Sequence, residues 1–296
     1  MTDPPTIAIW GATGKIGGAA AAELRRRGQR VRAVLRDPAK GDALRQLGCD
    51  IVTGDLYERH AIQRALDGAE EALFVCPLRR DAEDLLSDTQ QIINALGGAL
   101  ETARPRRVVA ISDYGAYLPA GTGITMIFHR LETRLRAVPS SITFLRSAEH
   151  MQNWSRHLEG ARTRGKLASL HHPVTKLLPT VSAFDVGLVA ADILTAPPDD
   201  DRASPRVVHV EGPRRYSAVD VARVFEQQLQ RSVSAEAIPR ERWMSALAAG
   251  GLGESYAKLV VELAEAHNAG SIDVEPGAAD VRRGTTELST ALAAAP

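Results

Sequence analysis

The sequence predicts an α/β fold, a doubly wound parallel sheet with a smaller, mostly helical unit behind it. Three observations carry this. Short apolar runs without polar alternation recur at 6–10, 30–36, 50–53, 72–76, 107–112 and 141–146. Segments with helical spacing separate them. Glycines at 11, 14 and 17 join the first run directly to a helix. Strands that are apolar on both faces belong in a sheet covered by helices on both sides, and right-handed crossovers then wind it in two directions.

The first strand stops at Gly11, and a helix rich in alanine and glycine covers 16–27. Val31, Ala33 and Leu35 alternate along the second strand. Asp37 and Pro38 then open a turn before a short helix over 41–47. The third strand ends in Gly54, Asp55 and Leu56, and a helix over 59–66 sets Ile62 and Leu66 on one face. Pro77 stops the fourth strand, and helices over 81–103 and 124–137 flank the fifth. Residues 147–180 show no clear period. A helix over 185–194 and a strand over 206–211 complete the sheet, with 197–201 as a solvated loop between them. Beyond 212, helices are expected over 218–230, 240–249 and 254–268 around one strand at 233–238, and 293–296 as a frayed end.

Lys+Arg and Asp+Glu are equal at 36 each, so no global field favours nucleic acid or a membrane surface. Only five of the cations are lysine, so the arginine runs at 25–27 and 106–107 read first as solvated surface. Cys49 and Cys76 make no disulfide framework. No apolar leader precedes the first strand, and no stretch reaches the roughly 18 apolar residues of a span. The expectation is a cytoplasmic monomer or homodimer that binds a small molecule.

The run GATGKIG over 11–17 points to chemistry. Orphan N–H groups and the positive end of a helix dipole face an anion there, and glycine lets the backbone come close. A strand before and a helix behind make this a dinucleotide pyrophosphate site. Gly11, Thr13, Gly14, Lys15 and Ile16 form its cradle. The sheet is then a Rossmann sheet, and its ligands lie outside the C-terminal strand ends. The second strand ends in Arg36, whose fork fits a 2′-phosphate that a carboxylate would repel, and Lys40 adds a second charge. The cofactor expected is NADP(H). Asp55 and Leu56 fall near the adenine, although Asp55 serves equally as a helix cap. Cys76 and Pro77 reach the middle of the cofactor, with Cys76 a small hydrophobe rather than a nucleophile. Ser112 and Tyr114 reach its nicotinamide end, or else cap a turn and pack. His150, His157, His171 and His172 could suggest a metal, but His171 and His172 are adjacent rather than spaced for a shared face and no carboxylate or thiolate accompanies the pair, so no metal is expected.

With these residues placed, the chain resembles the NmrA-like branch of the atypical short-chain dehydrogenase/reductase family. The resemblance rests on GATGKIG (11–17), VLRDPAK (34–40), GDL (54–56), SDYGA (112–116), TFLR (143–146) with MQNW (151–154), and EGP (211–213), and it spans 6–292. It implies an NADPH-dependent reductase of quinones, triphenylmethane dyes, azo compounds or isoflavone-type molecules, or a cofactor-sensing regulator without redox turnover. Standard members carry Tyr-x-x-x-Lys in the helix after the fifth strand. In that register Thr125 stands at the tyrosine and His129 at the lysine. Some quinone reductases of the branch also have histidine there, with glutamate four residues later, where this chain has Thr133 preceded by Glu132.

Tyr114 and His129 are therefore the candidate catalytic groups. His129 either bonds the nicotinamide ribose or substrate, or is a helix histidine facing a cleft. Residues 1–150 with about 180–211 form the expected NADP-binding domain, and 151–179 with 212–296 a substrate domain. Tyr114, His150, Met151 and Trp154 would line a site for a flat aromatic or quinone-like substrate, or the last three would form an ordinary interdomain core. A reductase, an NADP(H) sensor that binds a partner protein, and an epimerase or dehydratase all remain compatible. The missing tyrosine–lysine pair weighs most against the last.

Overall fold

The computed structural model describes residues 5–197 and 205–293. Its strands are β1 (Thr6–Trp10), β2 (Arg30–Leu35), β3 (Asp50–Thr53), β4 (Glu71–Phe74), β5 (Arg107–Asp113), β6 (Ser141–Ser147), β7 (Glu149–His150), β8 (Lys166–Ser169), β9 (Thr180–Val181), β10 (Arg206–Glu211), β11 (Ser234–Ala237) and β12 (Val281–Arg283). Its helices are α1 (Lys15–Arg26), α2 (Asp42–Gln46), α3 (Arg59–Leu66), α4 (Leu85–Ala103), α5 (Thr125–Leu135), α6 (Leu158–Arg164), α7 (Ala183–Thr195), α8 (Ala218–Leu229), α9 (Trp243–Ala249), α10 (Glu254–Ala269) and α11 (Leu288–Ala293).

Eight strands form one sheet in the order β12-β10-β6-β5-β4-β1-β2-β3, and all its pairings are parallel. The order reverses between β1 and β4. A crevice opens at such a switch point, above the C-terminal strand ends. Strand residues alternate between two cores. Ile7, Ile9, Val109 and Ile111 pack with Leu24 of α1 and Val186 and Ala190 of α7. Ala8, Trp10, Val108 and Ala110 pack with Ile62 of α3, Leu96 of α4 and Leu131 of α5. A separate core joins Met151, Trp154, Leu167, Phe225 and Leu292 of the smaller unit. Among the described residues, no helix is long and apolar enough to cross a membrane.

The doubly wound sheet is as expected, with differences at particular places. Helix α4 starts at Leu85 rather than 81, because the Asp84 side chain accepts from the Ser87 N–H and fixes the start there. Expected in the smaller unit with the rest of 212–296, Val281–Arg283 instead joins the large sheet as its edge strand beside β10. Three residues of mixed polarity give no strand signal of their own. Arg107 is no surface arginine. It is buried, and its Nη1 donates to the carbonyls of Ile193, Leu194 and Ala196, satisfying the end of α7. Of the expected loop over 197–201 and the frayed end over 293–296, 198–201 and 294–296 lie outside the described residues; Ala293 closes α11.

Candidate active site

The glycine turn after β1 is built for close approach. Gly11 adopts φ +75°, which favours glycine, and a Cβ there would lie 2.8 Å from the Val75 Cβ. A Cβ on Gly17 would collide with the Gly11 carbonyl, so the first turn of α1 sits directly on the loop. Thr13, Gly14 and Lys15 are exposed, while the Ile16 side chain is anchored in the core. Gly14, the N-cap, supplies no side-chain acceptor, and the first turn of α1 carries no acid. The N–H groups at this end are thus left for an external anion, and the residues fit a dinucleotide pyrophosphate. Beyond β2, Arg36 and Lys40 are exposed and neither enters an ion pair with a described residue. Asp37 is occupied as a cap, accepting from the Ala39 N–H at 3.0 Å.

Several expected positions turn out differently. Asp55 is not the cap of α3, which is Glu58; its Oδ1 accepts from the Tyr57 N–H at 3.1 Å and holds the turn after β3. The Leu56 side chain is buried in the core, so only its backbone is left for a cofactor. Cys76 and Pro77 line a small apolar cavity with Ile92, Ile127 and Leu131, and burial pushes the Cys76 thiol up to about 12. That fits the inert, hydrophobic reading of Cys76 and turns its side chain toward α4 and α5.

Ser112, expected at the nicotinamide end, is buried and donates to Glu132 Oε1 at 2.6 Å. Val108 and Ala110 face the α5 side of the sheet, and Ser112 continues that alternation beneath the helix. Tyr114, the expected acid, is also buried. It packs edge-on against His209 at 5.5 Å in the other core, and its hydroxyl has no protein partner among the described residues. Burial, with Glu211 nearby, drives the phenol above its ordinary range. Met151 and Trp154 are likewise core residues. They lie three apart in a 3-10 helix, Met151–His157, whose three-residue turn stacks both toward the smaller unit's core.

The residues that remain at the C-terminal edge come from β5, α5 and β7. Thr125 is fully buried and donates to Asp113 Oδ2 at 2.8 Å. His129, one turn further on the same face of α5, holds the Ala116 carbonyl through Nδ1 at 2.9 Å. His150 is half-buried, with Nε2 3.2 Å from the Ser147 hydroxyl, and burial pushes its imidazole down to about 4. Glu149 lies 3.6 Å from His171 Nε2. Asp113 is half-buried as the last residue of β5. Burial, reinforced by Glu149, pushes its carboxyl up to about 7 against the lowering effect of Thr125 and the Tyr114 N–H. Asp113 is absent from the sequence-based candidates. Its signal was its place as the last residue of the fifth strand, at the C-terminal end where ligands of such sheets lie.

Comparison with known proteins accords with this geometry. A family model described as NAD(P)H-binding matches residues 11–197. The chain belongs to the NAD(P)H-binding family. The match begins at the glycine turn and ends beyond α7, which packs beside it. An NAD(P)H azoreductase of Xenophilus azovorans is 27% identical over 258 residues, covering 87% of this chain and 85% of the relative. Two solved structures share the fold. A triphenylmethane reductase from Citrobacter sp., complexed with NADP(H), has a TM-score of 0.77 at 18% identity, covering 98% of this chain and 100% of that one. An NADPH-dependent quinone oxidoreductase from Escherichia coli, complexed with NADPH, has a TM-score of 0.76 at 19% identity, covering 97% and 98%. Both are reductase types that the sequence resemblance names.

Proposed function

We propose that this protein is an NADPH-dependent reductase that reduces a conjugated small molecule of the quinone, azo or dye type. The observation that carries the reading is that the open glycine cradle, the exposed cations Arg36 and Lys40, and the Asp113–Thr125–His129 group follow β1, β2 and β5 on the C-terminal edge of one parallel sheet. Similarity to an azoreductase along 87% of the chain supports the same reading.

The bound dinucleotide would supply a hydride. The chain does the rest. The N-terminus of α1 would hold the pyrophosphate, and Arg36 with Lys40 would recognise a 2′-phosphate, which sets the preference for NADPH over NADH. His129, its Nδ1 fixed on Ala116, would present Nε2 to the ribose or substrate. A conjugated acceptor delocalises the charge it gains, so a site without the tyrosine–lysine pair can still reduce it. Positioning and water exclusion then provide much of the acceleration. The test is loss of reduced-nicotinamide absorbance when a panel of quinones and dyes is added to purified protein. Oxidation with NADPH in preference to NADH supports the reading, and tight binding with no turnover on any acceptor contradicts it.

One observation favours a second reading. Ser112 and Tyr114, the two hydroxyls expected at the nicotinamide end, are both withdrawn into the protein. A sensor of the NADPH/NADP⁺ ratio would need neither. It would bind the two redox forms with different affinities and show no turnover.

A further inference from the structure

We propose that Asp113 is the general acid of this site, with Thr125 positioning its carboxyl, for acceptors that must gain a proton along with a hydride. The inference rests on the reductase reading and adds to it the proton donor and the class of acceptor that needs one. Thr125 stands at the tyrosine position but is fully buried, so its hydroxyl cannot meet a substrate. It donates instead to Asp113 Oδ2, leaving Oδ1 to carry a proton. Asp113 is only half-buried and ends β5 at the mouth. Ser112 and Tyr114, the hydroxyls that the sequence offers there, are both buried.

Burial keeps Asp113 protonated near neutrality, and Glu149 on β7 adds to it by disfavouring the negative charge. His150, three residues past the Ser147 that pairs with Asp113 across the sheet, is itself held neutral by burial. A carboxyl at about 7 is matched to proton transfer at neutral pH.

The proton balance separates acceptors. A quinone or azo compound takes a hydride at one atom and a proton at a heteroatom. The Asp113 O–H bond breaks, an O–H or N–H bond forms on the product, and water then reprotonates the carboxylate. A cationic triphenylmethane dye takes a hydride on its central carbon and becomes neutral, with no proton needed.

The experiment compares wild type, Asp113→Asn and Thr125→Val with a quinone, a neutral azo dye and a cationic triphenylmethane dye. NADPH affinity is measured alongside, and the Asp113 carboxyl is titrated by infrared difference spectroscopy in the protein without cofactor. In Asp113→Asn, the ratio of quinone or azo turnover to triphenylmethane turnover should fall at least roughly 10²-fold. In Thr125→Val the carboxyl midpoint should move up, because a hydrogen bond to its charged form is lost. An unchanged ratio in a wild type that turns over would overturn the role of Asp113. So would a wild-type carboxyl that titrates near the ordinary value of about 4, whether or not the variants fold. A wild type that binds NADPH and reduces none of the three acceptors would instead overturn the reductase reading.

Discussion

Arg146 and Glu132 meet in a buried, two-pronged ion pair, with Nε 2.8 Å from Oε1 and Nη2 2.7 Å from Oε2. Ser112 adds its hydroxyl to the same Oε1, and Glu275 takes the Arg146 Nη1 at 2.6 Å. This network ties β5, β6 and α5 together below the mouth and explains why Ser112 is not available above it. Removing one member strands the others without water. Glu132→Ala should therefore cost about 3 kcal/mol or more in denaturant unfolding, since a buried guanidinium loses two of its three hydrogen bonds to carboxylates. NADPH affinity should change little if the role is structural.

Gly17 and Gly11 touch backbone to backbone. Gly17→Ala would push its Cβ into the Gly11 carbonyl, and the loop cannot yield without moving against Val75. Overpacking of this kind costs about 1–3 kcal/mol. Fluorescence titration with NADPH should show at least a roughly tenfold loss of affinity. Wild-type affinity would mean that the turn does not hold the pyrophosphate.

Arg36 is exposed and unpaired among the described residues, so its charge is free for a ligand. A hydrogen bond to a charged group contributes about 1.5–3 kcal/mol. Arg36→Glu should lower NADPH affinity by roughly 10- to 100-fold and leave NADH affinity unchanged or improved. Parallel losses for both cofactors would remove Arg36 as the 2′-phosphate contact.

Acid should destabilise the protein. Burial pushes His150, His157 and His267 each down to about 4. Unfolding returns them to about 6.5, so the unfolded chain binds more protons between these values and stability falls as pH drops through them. Asp113 opposes this. Its carboxyl is raised to about 7, so its contribution is lost as pH rises from about 3.9 toward that value. Three groups against one leave about two protons taken up on unfolding near pH 5, a slope of about 3 kcal/mol per pH unit. Urea midpoints measured from about pH 7 down to 5 should fall; level or rising midpoints would show that these histidines are not held neutral.

Much of the sheet was legible because its strands are bounded by strong punctuation. β1, β3 and β10 begin and end where the apolar runs do, and Gly11, Gly54 and Gly212 follow them. The glycine cradle was legible for the same reason, as a strand, a turn and a helix in unbroken order. The catalytic end was not. Ser112 and Tyr114 were singled out by chemical type, whereas strand parity sends Ser112 under α5 and the turn after Asp113 sends Tyr114 into the other core. Met151 and Trp154 illustrate a second limit. Their residue types suit either a cleft or a core, and only the 3-10 geometry of Met151–His157 decides for the core. The edge strand β12 was hidden because its position comes from β10 rather than from its own three residues.

The central claim is that this NAD(P)H-binding fold turns over. Stopped-flow mixing of the NADPH-bound protein with a quinone or azo dye tests it most directly. The expected result is loss of reduced nicotinamide matched by formation of reduced acceptor, faster with NADPH than with NADH. Stable NADPH fluorescence after mixing, with binding intact and no reduced acceptor, would contradict it.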